Sequence, residues 1–182
     1  MSSRGEGPES EISFVADSMH GKLARWLRIL GHDTVYWRGD DEDLLDFASS
    51  SGRILLTSDL ELHRAALRRN VRSVLLPLEG IERQLATVAA YVRDLLGLDP
   101  ERFLSPEATR CSHCNGELVQ VGENLWECRS CGQRYWEGSH WRRIDRTLRR
   151  ALEIALSSGQ AREGPWSEEG NLTANRGEGR GR

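Results

Sequence analysis

Two short apolar runs that each end in an aspartate, then hand over to helical spacing, constrain this chain most. Residues 12–16, Ile-Ser-Phe-Val-Ala, suit a strand buried on both faces of a parallel sheet. Asp17 closes the run, and residues 19–30 switch to helical spacing with Met19, Leu23, Trp26, Leu27 and Leu30 on one face. Residues 53–59, Arg-Ile-Leu-Leu-Thr-Ser-Asp, repeat the plan and lead into a short helix over 60–69. Between them, residues 34–37 are β-rich, and the acidic run 40–43 opens a helix carrying Leu44, Leu45, Phe47 and Ala48. Residues 73–78 read as a fourth strand, and 79–96 as a helix with Ile81, Leu85, Val88, Val92 and Leu95 on one stripe. This alternation predicts an α/β fold: a parallel sheet with helices on both faces. Open sheets of that kind place ligands at the carboxyl ends of their strands, where both aspartates fall.

The 182 residues suffice for one ordinary domain plus a small module. With 38% hydrophobic and 29% charged residues the chain affords a core, but the composition is uneven. Residues 1–10 and 157–182 are polar, glycine-rich and aperiodic, which predicts disordered tails, with Trp166 the one residue there suited to a contact. No apolar run approaches twenty residues and no signal-peptide core precedes residue 12, so a cytoplasmic protein with no membrane span is expected. The net charge of −3 is unevenly spread. Residues 1–109 hold 13 Lys and Arg against 18 Asp and Glu, whereas 110–150 hold 8 against 5. An acidic body with a basic appendage can hold metal in one part and an anionic polymer with the other.

All four cysteines fall in Cys111-x-x-Cys114 and Cys128-x-x-Cys131, separated by residues 115–127. That gap is somewhat short for paired CxxC zinc sites, but Asn115, Gly116 and Gly132 supply the turn residues such knuckles need. Segments 117–121 and 124–127 make a hairpin around Gly122, and 133–136 adds a third strand. The expectation is a zinc ribbon with closed Cys₄ ligation, its Zn²⁺ structural. Two disulfides are the competing reading, disfavoured in a chain without a secretory leader.

Three acidic positions, Asp17, Asp59 and the cluster 40–43, share the carboxyl edge of the predicted sheet. Converging carboxylates repel unless a cation compensates, and an oxygen-only donor set suits Mg²⁺ or Mn²⁺. Taken singly, each acid would serve as a helix cap. Lys22, Arg25 and Arg28 recur every three residues on the first helix, off its apolar face. Lys22 and Arg25 fit phosphate contacts, and equally a solvated helix face. After the ribbon, Tyr135, Trp136, His140, Trp141, Arg142 and Arg143 interleave aromatic and basic side chains. That pattern suits single-stranded RNA, with His140, Arg142 and Arg143 as contacts and Trp136 packing the ribbon onto the body.

These residues together resemble the Mut7-C family. The resemblance rests on Asp17, Gly21-Lys-Leu-Ala-Arg-Trp-Leu-Arg28, Leu30-Gly-His-Asp33, Asp40-Asp41, Ile54-Leu-Leu-Thr-Ser-Asp59, the paired CxxC motifs and Tyr135-Trp136-x-Gly138-Ser139-His140-Trp141. The sequence departs from that pattern at His20, where an apolar residue is expected. The resemblance implies a PIN-like nuclease domain, here over 11–98, with a zinc ribbon appended over 111–141. Two prolines and no periodicity make 99–110 a linker, and Ile144, Leu148, Ala151 and Ile154 at helical spacing predict a terminal helix over 142–156. The resemblance also implies a metal-dependent ribonuclease with Asp17, Asp59 and one acid of the 40–43 cluster as its site. Asp40 matches best and Asp43 competes with it. By their own chemistry, Lys22 or Arg25 is expected to steady phosphate, and His140, Trp141, Arg142 and Arg143 to hold RNA. The alternative is a non-catalytic RNA- or protein-binding module on the same fold.

Overall fold

The computed structural model describes residues 12–160. Its centre is a parallel sheet made of β1 (Ser13–Ala16), β2 (Asp33–Tyr36), β3 (Ile54–Thr57) and β4 (Ser73–Leu75), in the order β2-β1-β3-β4. From β1 the chain steps to β2 on one side, then crosses back to β3 on the other. The strand order therefore reverses between β1 and β3, whose residues Val15 and Leu55 pair directly. Side chains alternate across each strand, and the two faces make two cores. Phe14, Ala16, Ile54 and Leu56 pack with α1 (Gly21–Ile29), α4 (Ile81–Leu96) and α6 (Trp141–Gln160). Val15 and Leu55 pack with Leu44, Leu45 and Ala48 of α2 (Asp41–Ser51) and with Leu62 and Ala66 of α3 (Leu60–Arg68).

The element ends follow from local chemistry. Asp17, Asp40 and Asp59 each cap the helical segment that follows, their carboxylates accepting backbone N–H groups. A 3₁₀ turn over Ser18–His20 precedes α1, so Met19 leaves the apolar face expected for it and stands 66% exposed. Gly31 ends the α1 region at φ +85°, and a Cβ there would lie 2.9 Å from Glu107 Cβ. Only glycine lets the segment before the ribbon pass so close.

Two expected boundaries move. The stretch 99–110 is not a bare linker: α5 (Pro100–Phe103) is capped by Asp99, and Phe103 and Leu104 are buried in the main core. The terminal helix starts at Trp141 and continues through Gln160, so 157–160 belong to α6 and not to a tail. Leu148, Ala151 and Ala155 seat α6 in the core of the α/β body. The expectations for residues 1–10, for 161–182 and for Trp166 lie outside the described residues.

β5 (Leu118–Gly122), β6 (Leu125–Cys128) and β7 (Arg134–Trp136) form a separate antiparallel sheet between the two CxxC motifs and just beyond. It docks at the start of β2, where Asn115 accepts from Thr34 N–H at 3.0 Å and donates to Asp33 at 2.7 Å. Since the strands are parallel, that is the amino edge of the sheet, opposite Asp17.

Candidate functional site

Asp17 leaves β1 and is 6% exposed at the reversal point between β1 and β3. One carboxylate oxygen accepts from Met19 N–H at 2.9 Å, and the other accepts the Thr57 hydroxyl. Thr57, at the end of β3, also accepts from Asp59 N–H at 3.0 Å through the same hydroxyl oxygen. One buried threonine thus ties the two acidic strand ends together. Asp59 is exposed; its Oδ1 takes the N–H groups of Glu61 and Leu62, at 2.7 and 3.0 Å.

Next to Asp17 lies His20, 4% exposed, with Nε2 2.9 Å from Ser58 Oγ and 4.0 Å from Asp17 Oδ1. Burial pushes this imidazole below its ordinary value, against the pull of Asp17 and of a hydrogen bond to Gln84. Thr57, Ser58 and Gln84 were not singled out from the sequence. A hydroxyl residue closing a buried strand was the available signal for Thr57; Gln84 arrives from α4 and carries no local signal.

The other acids stay apart from this pair. Asp40 and Asp43 are exposed at the start of α2, joined to one another by the Asp40 side chain accepting Asp43 N–H at 3.2 Å. Lys22 and Arg25 are exposed on α1. Arg28, grouped with them by spacing, turns inward instead. Its guanidinium donates to Thr34 O at 2.8 Å, to Ser112 O at 3.2 Å and to His113 O at 3.0 Å. It is a buried strut joining α1, β2 and the first CxxC loop.

Among the described residues, the one group of three or more His, Cys, Asp or Glu close enough to share an ion is Cys111, Cys114, Cys128 and Cys131. Their sulfurs lie within 4.8 Å of one another, with Cys111–Cys131 at 3.7 Å and Cys114–Cys128 at 3.5 Å. A tetrahedron of ~2.3 Å Zn–S bonds has edges of about 3.8 Å, so the cage has the size of a Cys₄ zinc site. Burial opposes ionisation of Cys128, but the N–H groups of Cys131 and Ser130 donate to its sulfur and hold the thiol down to about 7. Gly116 N–H reaches Cys114 Sγ at 3.4 Å, and a Cβ on Gly116 would meet Ser130 Oγ at 2.6 Å. The donor set is closed and leaves no position for a substrate, as structural zinc requires.

Beyond the ribbon, His140, Arg142 and Arg143 are exposed at the start of α6. The two tryptophans reverse the packing expected of them. Trp136 is 59% exposed, whereas Trp141 is partly buried with its indole N–H shielded from solvent and lacking an acceptor among the described residues. Among the described residues no helix is long and apolar enough to cross a membrane.

The Mut7-C RNAse domain model matches residues 12–148, from the first strand into the last helix. No curated protein and no solved structure matches the chain. A match over three quarters of the sequence, spanning both the sheet with its linked acidic strand ends and the four-cysteine ribbon, settles the family: this chain belongs to the Mut7-C RNAse domain family.

Proposed function

We propose that the chain is a metal-dependent ribonuclease whose site is the Asp17–Asp59 edge. The observation that carries this reading is the Thr57 bridge, which joins two carboxylate-bearing strand ends at the reversal point of the sheet of an RNAse-family domain. Each Asp17 oxygen accepts one hydrogen bond and keeps a lone pair, and Asp59 Oδ2 accepts none among the described residues. These hard oxygen donors fit Mg²⁺ or Mn²⁺. Asp40 and Asp43 stand too far from the pair to share an ion with it, so one of them would have to approach the edge to serve as a third ligand. Such an ion, when bound, supplies charge stabilisation at the phosphodiester and an acidified water. The chain's own residues do the rest. Thr57 keeps the Asp17 carboxylate turned to the edge, and Lys22 or Arg25 neutralises the scissile phosphate. His140, Trp141, Arg142 and Arg143 hold single-stranded RNA, and structural Zn²⁺ on the four cysteines keeps the ribbon folded.

A second reading draws on the caps. Asp17, Asp40 and Asp59 all serve helix N-termini, which favours a non-catalytic RNA- or protein-binding module. Asp→Asn variants separate the two, because Asn caps as well as Asp but removes a ligand charge. RNA cleavage in Mn²⁺ by Asp17→Asn and Asp59→Asn is expected to fall by ~10²-fold or more. Parent-like cutting by both variants overturns the ribonuclease site proposed here. A silent Asp40→Asn beside an inactive Asp43→Asn makes Asp43 the third ligand.

A further inference from the structure

A cavity of about 250 Å³ lies between the ribbon hairpin and the start of α6. Trp126, Tyr135, Trp136, His140 and Trp141 give it aromatic walls, and Ile29 at the end of α1 closes one side. Tyr135 is a fixed wall, because its hydroxyl meets Cys111 Sγ at 3.0 Å and Ser112 Oγ at 3.2 Å. The cavity is therefore built on the cysteine cage. Trp136 lines it yet is 59% exposed, which leaves ring surface for an incoming flat group. Arg142 and Arg143 follow Trp141 in the first turn of α6; both are exposed and lie outside the cavity lining.

α1 links this cavity to the acidic edge. The helix starts next to Asp17 and ends at Ile29. Lys22, Arg25 and Ile29 sit at i, i+3 and i+7, so they share one helix face. From Lys22 to Ile29 the rise is about 10 Å. Lys22 and Arg25 thus mark an exposed basic stripe that begins near the carboxylates and ends at the cavity.

We propose that this cavity seats one unpaired nucleobase of a single-stranded RNA, and that Lys22 and Arg25 carry the intervening backbone from it to the Asp17–Asp59 edge. The identity of the polymer rests on the ribonuclease reading; the binding geometry does not require cleavage. A base presents a flat π-surface whatever its sequence, so aromatic walls accept it without sequence readout. The arginines and Lys22 supply the phosphate contacts that an anionic strand needs and an apolar peptide does not. A paired base cannot enter, because its ring faces are buried in the stack.

The test is fluorescence anisotropy of a labelled uridine-rich single strand on zinc-loaded, full-length Asp17→Asn protein, with one abasic nucleotide moved along the strand. One abasic position is expected to weaken binding about tenfold, within the range of a single base–aromatic stack. Trp136→Ala should weaken the intact strand about tenfold and become insensitive to that position, while Trp136→Phe retains both properties. Lys22→Ala with Arg25→Ala should flatten the salt dependence by up to about two units of slope and leave the sensitive abasic position unchanged. Zinc content reports whether each variant keeps its ribbon. A flat abasic scan, a duplex bound as tightly as the single strand, or no RNA binding at all overturns the proposal. If the parent cuts RNA but the scan is flat, the base site alone fails. If the scan behaves as expected but the parent never cuts, the ribonuclease reading alone fails.

Discussion

The cysteine cage and the acidic edge are both sets of ligand-type side chains, yet the chain assembles them differently. Each cysteine pair sits within a single four-residue loop, and a hairpin brings the two loops together. Local geometry accordingly closes all four sulfurs to within 4.8 Å. The acids come from the ends of β1 and β3 and the start of α2, and each also caps a helix. Topology brings Asp17 and Asp59 to one threonine and leaves Asp40 and Asp43 exposed on α2. Ligands from one local motif are positioned by the motif; ligands from separate elements are positioned only by the packing between them.

The largest effect expected from breaking this contrast is at the cage. Cys128→Ser or chelation removes a metal whose binding free energy is ~10–16 kcal/mol in comparable small zinc modules. Elemental analysis should find one zinc per parent chain. After chelation, hydrogen exchange should rise throughout 110–141 and spread to β2, whose Thr34 N–H depends on Asn115. Parent-like protection of 110–141 after complete metal removal would show that the ribbon needs no ion.

Next come the two linked acids, whose environments predict a split. Asp17→Ala strands the buried Thr57 hydroxyl and Met19 N–H, at a cost of about 1–3 kcal/mol in stability. Asp59→Asn should be nearly neutral for stability because it remains a cap. Both should lose cleavage. Equal melting temperatures for Asp17→Ala and Asp59→Asn would show that burial does not distinguish the two positions.

A third effect probes the joint between the regions. Arg28→Met leaves the carbonyls of Thr34, Ser112 and His113 without their shared donor, and about 1.5–3 kcal/mol is expected from losing a charged hydrogen-bonding group. Zinc content should stay at one per chain while exchange rises at the ribbon–β2 junction. A stable junction in this variant would assign the docking to Asn115 and to Asp33, which Arg53 holds at 2.9 Å.

The smallest effect is a pH dependence. His32 stacks on Phe103 at 4.2 Å between ring centroids, and burial pushes its imidazole below the ordinary value, against a hydrogen bond to Phe103 O. Below the unfolded value of about 6.5 the unfolded chain takes up this proton before the folded one does. The stability it contributes is therefore full above that pH and lost as pH falls through the lower folded value. His20 and His63 are shifted the same way, also by burial. Melting temperature should decline from pH 7 to pH 5, and His32→Phe should make the decline shallower. An identical slope in that variant would remove His32 from the account.

The α/β class, the succession of strands along the chain, the aspartates closing two buried strands and the four-cysteine ribbon are all readable from the residues alone. Each of these is written in periodicity or in spacing within a few residues. The apolar run and its terminal acid specify a strand end, and two CxxC loops on one hairpin specify a cage. Which neighbours those ends meet depends on how the strands and helices pack. Thr57 bridges Asp17 and Asp59 because β1 and β3 lie side by side, a pairing between residues about forty positions apart. Arg28 shares the three-residue spacing of Lys22 and Arg25, yet it is buried because the first CxxC loop comes to rest on that turn of α1. Trp136 and Trp141 looked alike as aromatics after the ribbon. The packing of α6 on the body partly buried Trp141 and left Trp136 largely in solvent. A helical or alternating pattern tells which face of an element is apolar, but a long-range contact depends on how several such faces stack, and no short window contains that.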